Sequence, residues 1–305
     1  MPSPTFHPDL RRARLLPRSI VHPRTLGVIR RLTGRSGAAR PVGGTVERVD
    51  EAVTVRVFRP AAAPQPAPAM LFIHGGGYVI GNAAMGDRFC RLATDRLGIV
   101  AASVEYRLAP DHPFPVPLED CYAGLRWLAE QSEVDAERIA IAGESAGGGL
   151  AAALALLARD RGEIRPVLQL LSYPMLDDRT SAAGIDPRRL RMWSARNNQY
   201  GWSSYLGPAT GGNVPPLAAP ARYENLAGLA PAWIGVGTND LFHAEDLAYA
   251  DRLRAAGVPC EVHEVDGAYH GFDLVEGATG VARAFLQARL TALAAALGEG
   301  ERVSS

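Results

Sequence analysis

Three side chains have the types that nucleophilic acyl transfer requires. Ser145 lies in Gly143-Glu144-Ser145-Ala146-Gly147, Asp240 ends Gly235-Val236-Gly237-Thr238-Asn239-Asp240, and His270 lies in Asp266-Gly267-Ala268-Tyr269-His270-Gly271-Phe272. A serine hydroxyl is a poor nucleophile at neutral pH and needs a base within hydrogen-bond reach, itself oriented by an acid. The pentapeptide around Ser145 is a weak signal alone, so its context carries the weight. Residues 138–142 read as a short buried strand and residues 148–159, rich in Ala and Leu, as a buried helix. In a strand, tight turn, helix arrangement the glycines let the two elements approach closely, and the serine takes a strained turn that lifts its hydroxyl into a cleft.

The other histidines are placed less well. His263 falls inside an expected strand, His74 precedes a glycine run, His243 begins a helix, and His7, His22 and His112 are each followed by proline. Asp246, on a helix, and Asp266, short of the loop, are weaker candidates for the acid than Asp240, which follows the penultimate strand. Glu144 can shape a pocket but cannot easily reach the far side of an imidazole bonded to Ser145. The chemistry also needs donors for an oxyanion. His74-Gly75-Gly76-Gly77-Tyr78 follows a strand, and its glycines let backbone amides face a cleft unobstructed. The amides of Gly75, Gly76 and Ala146 are assigned that role. The dinucleotide pattern Gly-x-Gly-x-x-Gly is not met there.

Positioning these groups requires an ordered sheet. Short apolar runs at 70–73, 99–104, 139–142, 167–171, 232–236 and 261–265 alternate with helical patterns at about 84–97, 118–131, 146–160, 244–256 and 281–297. Such alternation predicts an α/β fold, a parallel sheet covered by helices on both faces. Residues 43–50 and 52–58 alternate apolar and charged residues across a turn, as an antiparallel pair at a sheet edge would. Residues 9–16 and 24–32 predict short helices outside the sheet. The interval 177–222 is too long for a plain connection and holds Trp193, Tyr200, Trp202 and Tyr205, which suggest an aromatic pocket wall to which Tyr78 and Glu144 are added.

Composition removes competing chemistries. All 32 basic residues of the 305-residue chain are Arg, so a Walker phosphate loop, a pyridoxal Schiff base and a Ser-Lys dyad are excluded for want of an amine. Zero formal net charge argues against a nucleic-acid binder. Residues 1–46 nevertheless carry nine Arg and one acid, Asp9, which reads as a solvated basic face. Cys90, Cys121 and Cys260 are few, odd in number and without zinc-type spacing, as expected of reduced thiols in the cytoplasm. There is neither an apolar leader at the N-terminus nor a stretch of 18 apolar residues, so neither export nor stable membrane insertion is expected.

With those residues in place, the chain resembles the bacterial hormone-sensitive-lipase-like esterases, a branch of the α/β-hydrolases. The resemblance spans about residues 45–290. It rests on the His-Gly-Gly-Gly run at 74–77, Tyr106-Arg107-Leu108-Ala109-Pro110-Asp111-His112-Pro113-Phe114-Pro115, Glu119-Asp120, the turn at Ser145, Ser172-Tyr173-Pro174, Asp240, Glu245 and Tyr269-His270-Gly271-Phe272. It implies an eight-stranded, mostly parallel sheet in residues 43–305, capped by the N-terminal segment 1–42 and by an insertion at about 178–210. It also implies hydrolysis of short to medium acyl esters, with Ser145 as nucleophile, His270 as base, Asp240 as its orienting partner and His74 as a brace for the glycine loop. No metal or organic cofactor is implied, the partner is a small ester, and a homodimer through the last strand and helix is the association the family often adopts. The family often has Asp where Glu144 stands, usually Pro where Leu241 stands, and an Asp-Glu pair where this chain has Ala244-Glu245. An amidase or formamidase with the same triad, or a non-catalytic receptor on the same fold, are the alternative readings.

Overall fold

Residues 67–73 leave one strand with two apolar faces, and the sheet is built around that property. In a strand successive side chains point to opposite faces. Leu71 and Ile73 accordingly join one buried cluster while Met70 and Phe72 join another. Ile139 and Ile141 against Ala140 and Ala142 divide the same way one strand over. Both faces therefore need helices to cover them, as the alternating pattern predicts.

The structure is a computed structural model and describes residues 5–37, 39–62, 65–182 and 185–298. Its sheet has eight strands: β1 (Thr45–Arg48), β2 (Thr54–Phe58), β3 (Ala67–Ile73), β4 (Val100–Glu105), β5 (Val134–Glu144), β6 (Leu168–Ser172), β7 (Ala232–Gly237) and β8 (Cys260–Val265). They lie in the order β1-β2-β4-β3-β5-β6-β7-β8. β1 and β2 pair antiparallel, β2 is antiparallel to β4, and every other pairing is parallel. The six strands expected from apolar runs and the antiparallel edge pair are all present. β5 extends further toward its N-terminus than its apolar run suggests, through Asp135, Ala136 and Glu137.

Among the described residues, eight α-helices accompany the sheet: α1 (Leu26–Gly37), α2 (Asp87–Leu97), α3 (Val116–Ala129), α4 (Ala146–Arg161), α5 (Ala195–Leu206), α6 (His243–Ala255), α7 (Phe272–Val275) and α8 (Gly280–Leu297). α3, α4 and α6 cover the face of Leu71 and Ile73, and α2 and α8 the other. α4 is almost wholly buried, as an Ala-rich helix against a central strand can be. The helix expected over 9–16 is not formed: the segment makes a single turn at Ala13–Leu15. Its backbone bonds elsewhere, His7 N–H to Gly267 O at 3.1 Å and Arg12 N–H to a Glu276 carboxylate oxygen at 3.1 Å.

That N-terminal segment is also strapped to the insertion. Asn197 of α5 accepts from Ser19 Oγ at 2.8 Å and from the Ile20 amide at 3.2 Å, and donates to Val21 O. The Met192 amide donates to Pro17 O at 2.8 Å, and Arg191 donates to Ala13 O. Two stretches far apart in sequence thus form one layer. Among the described residues, no helix is long and apolar enough to cross a membrane.

Candidate active site

The carboxyl ends of β3, β5, β7 and β8 deliver the four groups singled out in the sequence. Between β5 and α4, Ser145 sits at φ 57 and ψ −122, outside the regions that side-chain-bearing residues prefer. The turn closes because glycines flank it. A Cβ on Gly143 would lie 2.2 Å from Gly147 O, and one on Gly147 would lie 2.1 Å from Ile73 O. The Ser145 amide donates to Ser172 O at 2.9 Å and its carbonyl accepts from Met175 at 2.9 Å, so β6 holds the strained residue in place.

Ser145 Oγ and His270 Nε2 are 2.9 Å apart, and His270 Nδ1 is 2.8 Å from Asp240 Oδ2. The loops carrying acid and base are themselves bonded: Asn239 N–H to Ala268 O at 2.9 Å and Thr238 N–H to Val265 O at 3.1 Å. Asp240 Oδ1 accepts from the Phe242 amide at 3.0 Å, which fixes the carboxylate's second oxygen. With its side chain fully buried, Asp240 orients the ring, and Nδ1 carries the proton shared with it. The imidazole is boxed edge-on by Tyr173, at 4.9 Å between centroids, and by Phe242, at 5.2 Å. Ser145 is 6% and His270 7% exposed, so little water reaches them. Asp246 and Asp266 are not at the imidazole: the first is wholly buried in α6, and the second accepts from Thr238 Oγ1 at 3.1 Å.

After β3, the backbone turns back on itself, with Val79 and Ile80 amides both donating to Gly76 O at 3.1 Å. Gly76 (φ 124) has no room for a side chain, since its Cβ would meet Ile80 O at 2.0 Å. Among the described residues, the amides of Gly75, Gly76 and Ala146 have no protein acceptor. Gly75 lies directly against the turn: its Cβ would be 3.2 Å from Ser145 Cβ. His74 does not reach the triad. Its ring stacks on Tyr106 at 4.2 Å, its Nδ1 donates to Gly75 O at 2.8 Å, and burial pushes its pKa down to about 4, so the ring is neutral.

The aromatic residues divide. Tyr78, Trp202 and Tyr205 form a buried stack, with Tyr78 and Tyr205 parallel at 4.0 Å, and Tyr78 Oη donates to Met175 O at 3.2 Å. They pin the glycine loop to α5. Trp193 is nearer the chemistry, its indole against Gly77 and 6.2 Å from the His270 ring. Tyr200 is only partly buried.

Glu144 requires a correction: its carboxylate does not line a pocket but is buried in an ion pair with Arg289 at 2.9 Å. A side chain adjacent to Ser145 on an extended strand points to the opposite face of the sheet, which is where α8 packs. Tyr173, Asp273 and Arg289 complete that buried cluster; from the sequence Tyr173 enters only as part of Ser172-Tyr173-Pro174, with no role, and Asp273 and Arg289 are not singled out. One signal was present, since Arg289 falls in phase with Phe285 and Leu293 on the apolar side of α8.

This geometry can be compared with known proteins. The alpha/beta hydrolase fold family matches residues 70–274. Esterase LipI of Mycobacterium tuberculosis is 38% identical over 275 residues, covering 86% of this chain and 79% of that protein. An ethyl acetate hydrolase of Pseudomonas putida is 34% identical over 233 residues, covering 72% of this chain and 70% of its own. Among solved structures, a bacterial heroin esterase superposes with a TM-score of 0.85 at 34% identity, covering 96% of this chain and 98% of that one.

Proposed function

Because this chain belongs to the α/β-hydrolase family, in its hormone-sensitive-lipase-like branch, we propose that it is a serine carboxylic-ester hydrolase working through Ser145, His270 and Asp240. The observation that carries the reading is the continuous chain of hydrogen bonds from Ser145 Oγ through His270 to Asp240, at 2.9 and 2.8 Å. His270 Nε2 takes the serine proton as Oγ attacks the ester carbonyl, and Asp240 stabilises the imidazolium that forms. The oxyanion is received by the amides of Gly75, Gly76 and Ala146, whose dipoles are fixed before the charge develops. His270 then gives its proton to the leaving alcohol. Water attacks the acyl-enzyme by the reverse proton path and releases the acid.

The N-terminal segment and the insertion act as the cap over this site. A buried, aromatic surround with Trp193 beside the imidazole supports short to medium acyl chains, as does a relative named for ethyl acetate hydrolysis. The test is turnover of p-nitrophenyl butyrate by Ser145→Ala, expected to fall at least ~10⁴-fold with loss of fluorophosphonate labelling. Retention of most of the turnover overturns the assignment.

A further inference from the structure

Behind the triad, on the α8 side of the sheet, lies a second charged cluster that the mechanism above leaves unused. Arg289 projects from α8 with its side chain 3% exposed. Its Nη1 is 2.9 Å from Glu144 Oε1 and 3.5 Å from Asp273 Oδ2, and its guanidinium lies 3.9 Å over the Phe89 ring. Asp273 Oδ1 accepts from Tyr173 Oη at 2.8 Å, and the Tyr173 ring is the one edge-on to His270. Glu144 is the residue before Ser145, and Asp273 is three residues after His270. One guanidinium therefore holds both chain segments that carry the reacting side chains.

This arrangement is poorly explained as a device for stability. A buried ion pair contributes little over apolar residues of the same volume, because both ions lose their hydration. Here the loss is larger, since Arg289 Nε and Nη2 have no hydrogen-bond partner among the described residues. Two carboxylates against one guanidinium also leave an excess of negative charge, and that excess lies on the side from which an imidazolium gains.

We propose that Arg289, Glu144 and Asp273 form a positioning unit that fixes the nucleophile and base relative to one another and keeps negative charge behind the imidazole as it takes its proton. The inference rests on the reading of Ser145 and His270 given above. Besides the Phe242 and Trp193 rings, the polar and charged groups around the imidazole come from several elements: Asp240 from the loop after β7, with buried Asp246 of α6 acting on it, Ser145 from the turn before α4, Tyr173 from the end of β6, Glu144 from β5, and Asp273 and Arg289 from α7 and α8. Cys90 of α2 adjoins Glu144 and Arg289, and burial pushes both its thiol and the Tyr173 hydroxyl up, so both stay neutral. Burial raises the Glu144 carboxyl to about 6 even with Arg289 opposing it, so Glu144 carries its charge above that pH.

Glu144 and His270 act on each other electrostatically through the turn, and a negative charge in that position favours the imidazolium, so its removal should shift the balance toward the neutral ring. The acidic limb of kcat/KM reports this in the free enzyme. Glu144→Gln is the informative variant, because its amide oxygen can still accept from Arg289 Nη1, whereas loss of Arg289 would strand two buried acids. The full chain, Glu144→Gln, Glu144→Asp and Ser145→Ala are assayed with p-nitrophenyl butyrate from pH 5 to 9. Glu144→Gln is expected to move the acidic limb down by ~0.5–1 pH unit and to lower kcat ~3–10-fold with KM little changed. Glu144→Asp, which keeps the charge, should restore the wild-type limb. If Ser145→Ala is inactive but the Glu144→Gln limb coincides with wild type, even with a uniformly lower rate, the inference fails. Turnover by Ser145→Ala would instead overturn the underlying assignment.

Discussion

Gly77→Ala separates the glycine loop's geometry from its chemistry. Gly77 has φ 60, where an added Cβ costs about 1–2 kcal/mol in an L-residue. That Cβ would also lie 2.0 Å from Trp193 Cη2 and 2.7 Å from Cζ2, far inside contact distance. Trp193 is 2% exposed and wedged against the imidazole, so it cannot swing freely away. Overpacking of this kind costs about 1–3 kcal/mol, and the displacement falls on the loop whose amides at Gly75 and Gly76 are aimed at the oxyanion. Losing one such donor reduces turnover by ~10²–10³. With p-nitrophenyl acetate, Gly77→Ala should therefore lower kcat about 10²-fold and change KM less than about threefold. Adding Trp193→Ala removes the clash but not the backbone strain. In that background the same alanine should cost at least ~10-fold less in kcat, the coupling expected of groups in contact. A single variant within about threefold of wild-type kcat, or an alanine effect of equal size in both backgrounds, refutes the reasoning.

Two further outcomes follow from particular contacts. Asp240→Asn keeps the shape of the carboxylate but favours the wrong imidazole tautomer, so kcat should fall ~10⁴-fold; a loss below tenfold would show that another acid orients the ring. Glu245 lies in the first turn of α6, its Oε1 accepting the Leu176 amide at 2.7 Å and the Asp177 amide at 3.2 Å. Burial pushes its carboxyl up to about 8. A group raised in the folded state favours folding most below its unfolded value of 4.5, and that contribution is lost as pH rises through 8. Glu245→Gln keeps the acceptor and removes the ionisation. Its unfolding free energy should therefore gain on wild type between pH 5 and pH 8.5, by on the order of 4 kcal/mol, read as a rise in relative thermal midpoint; an unchanged difference at the two pH values contradicts this.

Ser145, Asp240 and His270 were legible because they follow strand ends, and a strand end shows where an apolar run stops at Gly143, at Gly237 or at the Asp266-Gly267 turn. Met70 through Ile73 and Ile139 through Ala142 announce themselves by being apolar at every position, a consequence of burial on both faces. Where tertiary bonds override local preference, the sequence misleads. Residues 9–16 have a helical pattern, but His7 and Arg12 give their amides to Gly267 and Glu276, and the helix is reduced to one turn. Glu144 was misplaced for a related reason. Its neighbour faces the cleft, and only the alternation of an extended strand, followed through the strained residue, sends its own side chain to α8. The Arg289 cluster joins β5, the end of β6, α7 and α8, and no spacing rule connects four such segments.

The strap between the N-terminal segment and the insertion bears on when activity can appear. Residues 7–20 are synthesised well before their partners, which lie at Met192 and Asn197 and then at Gly267, Glu276 and, through Asp9, the amide of Val281. During synthesis they wait for most of the chain, with Leu15 and its neighbouring arginines in solvent. This segment thus leaves the ribosome ahead of the insertion it is strapped to and docks only after β8, α7 and the start of α8 exist, so the strands of a nascent chain can pair before the strap closes.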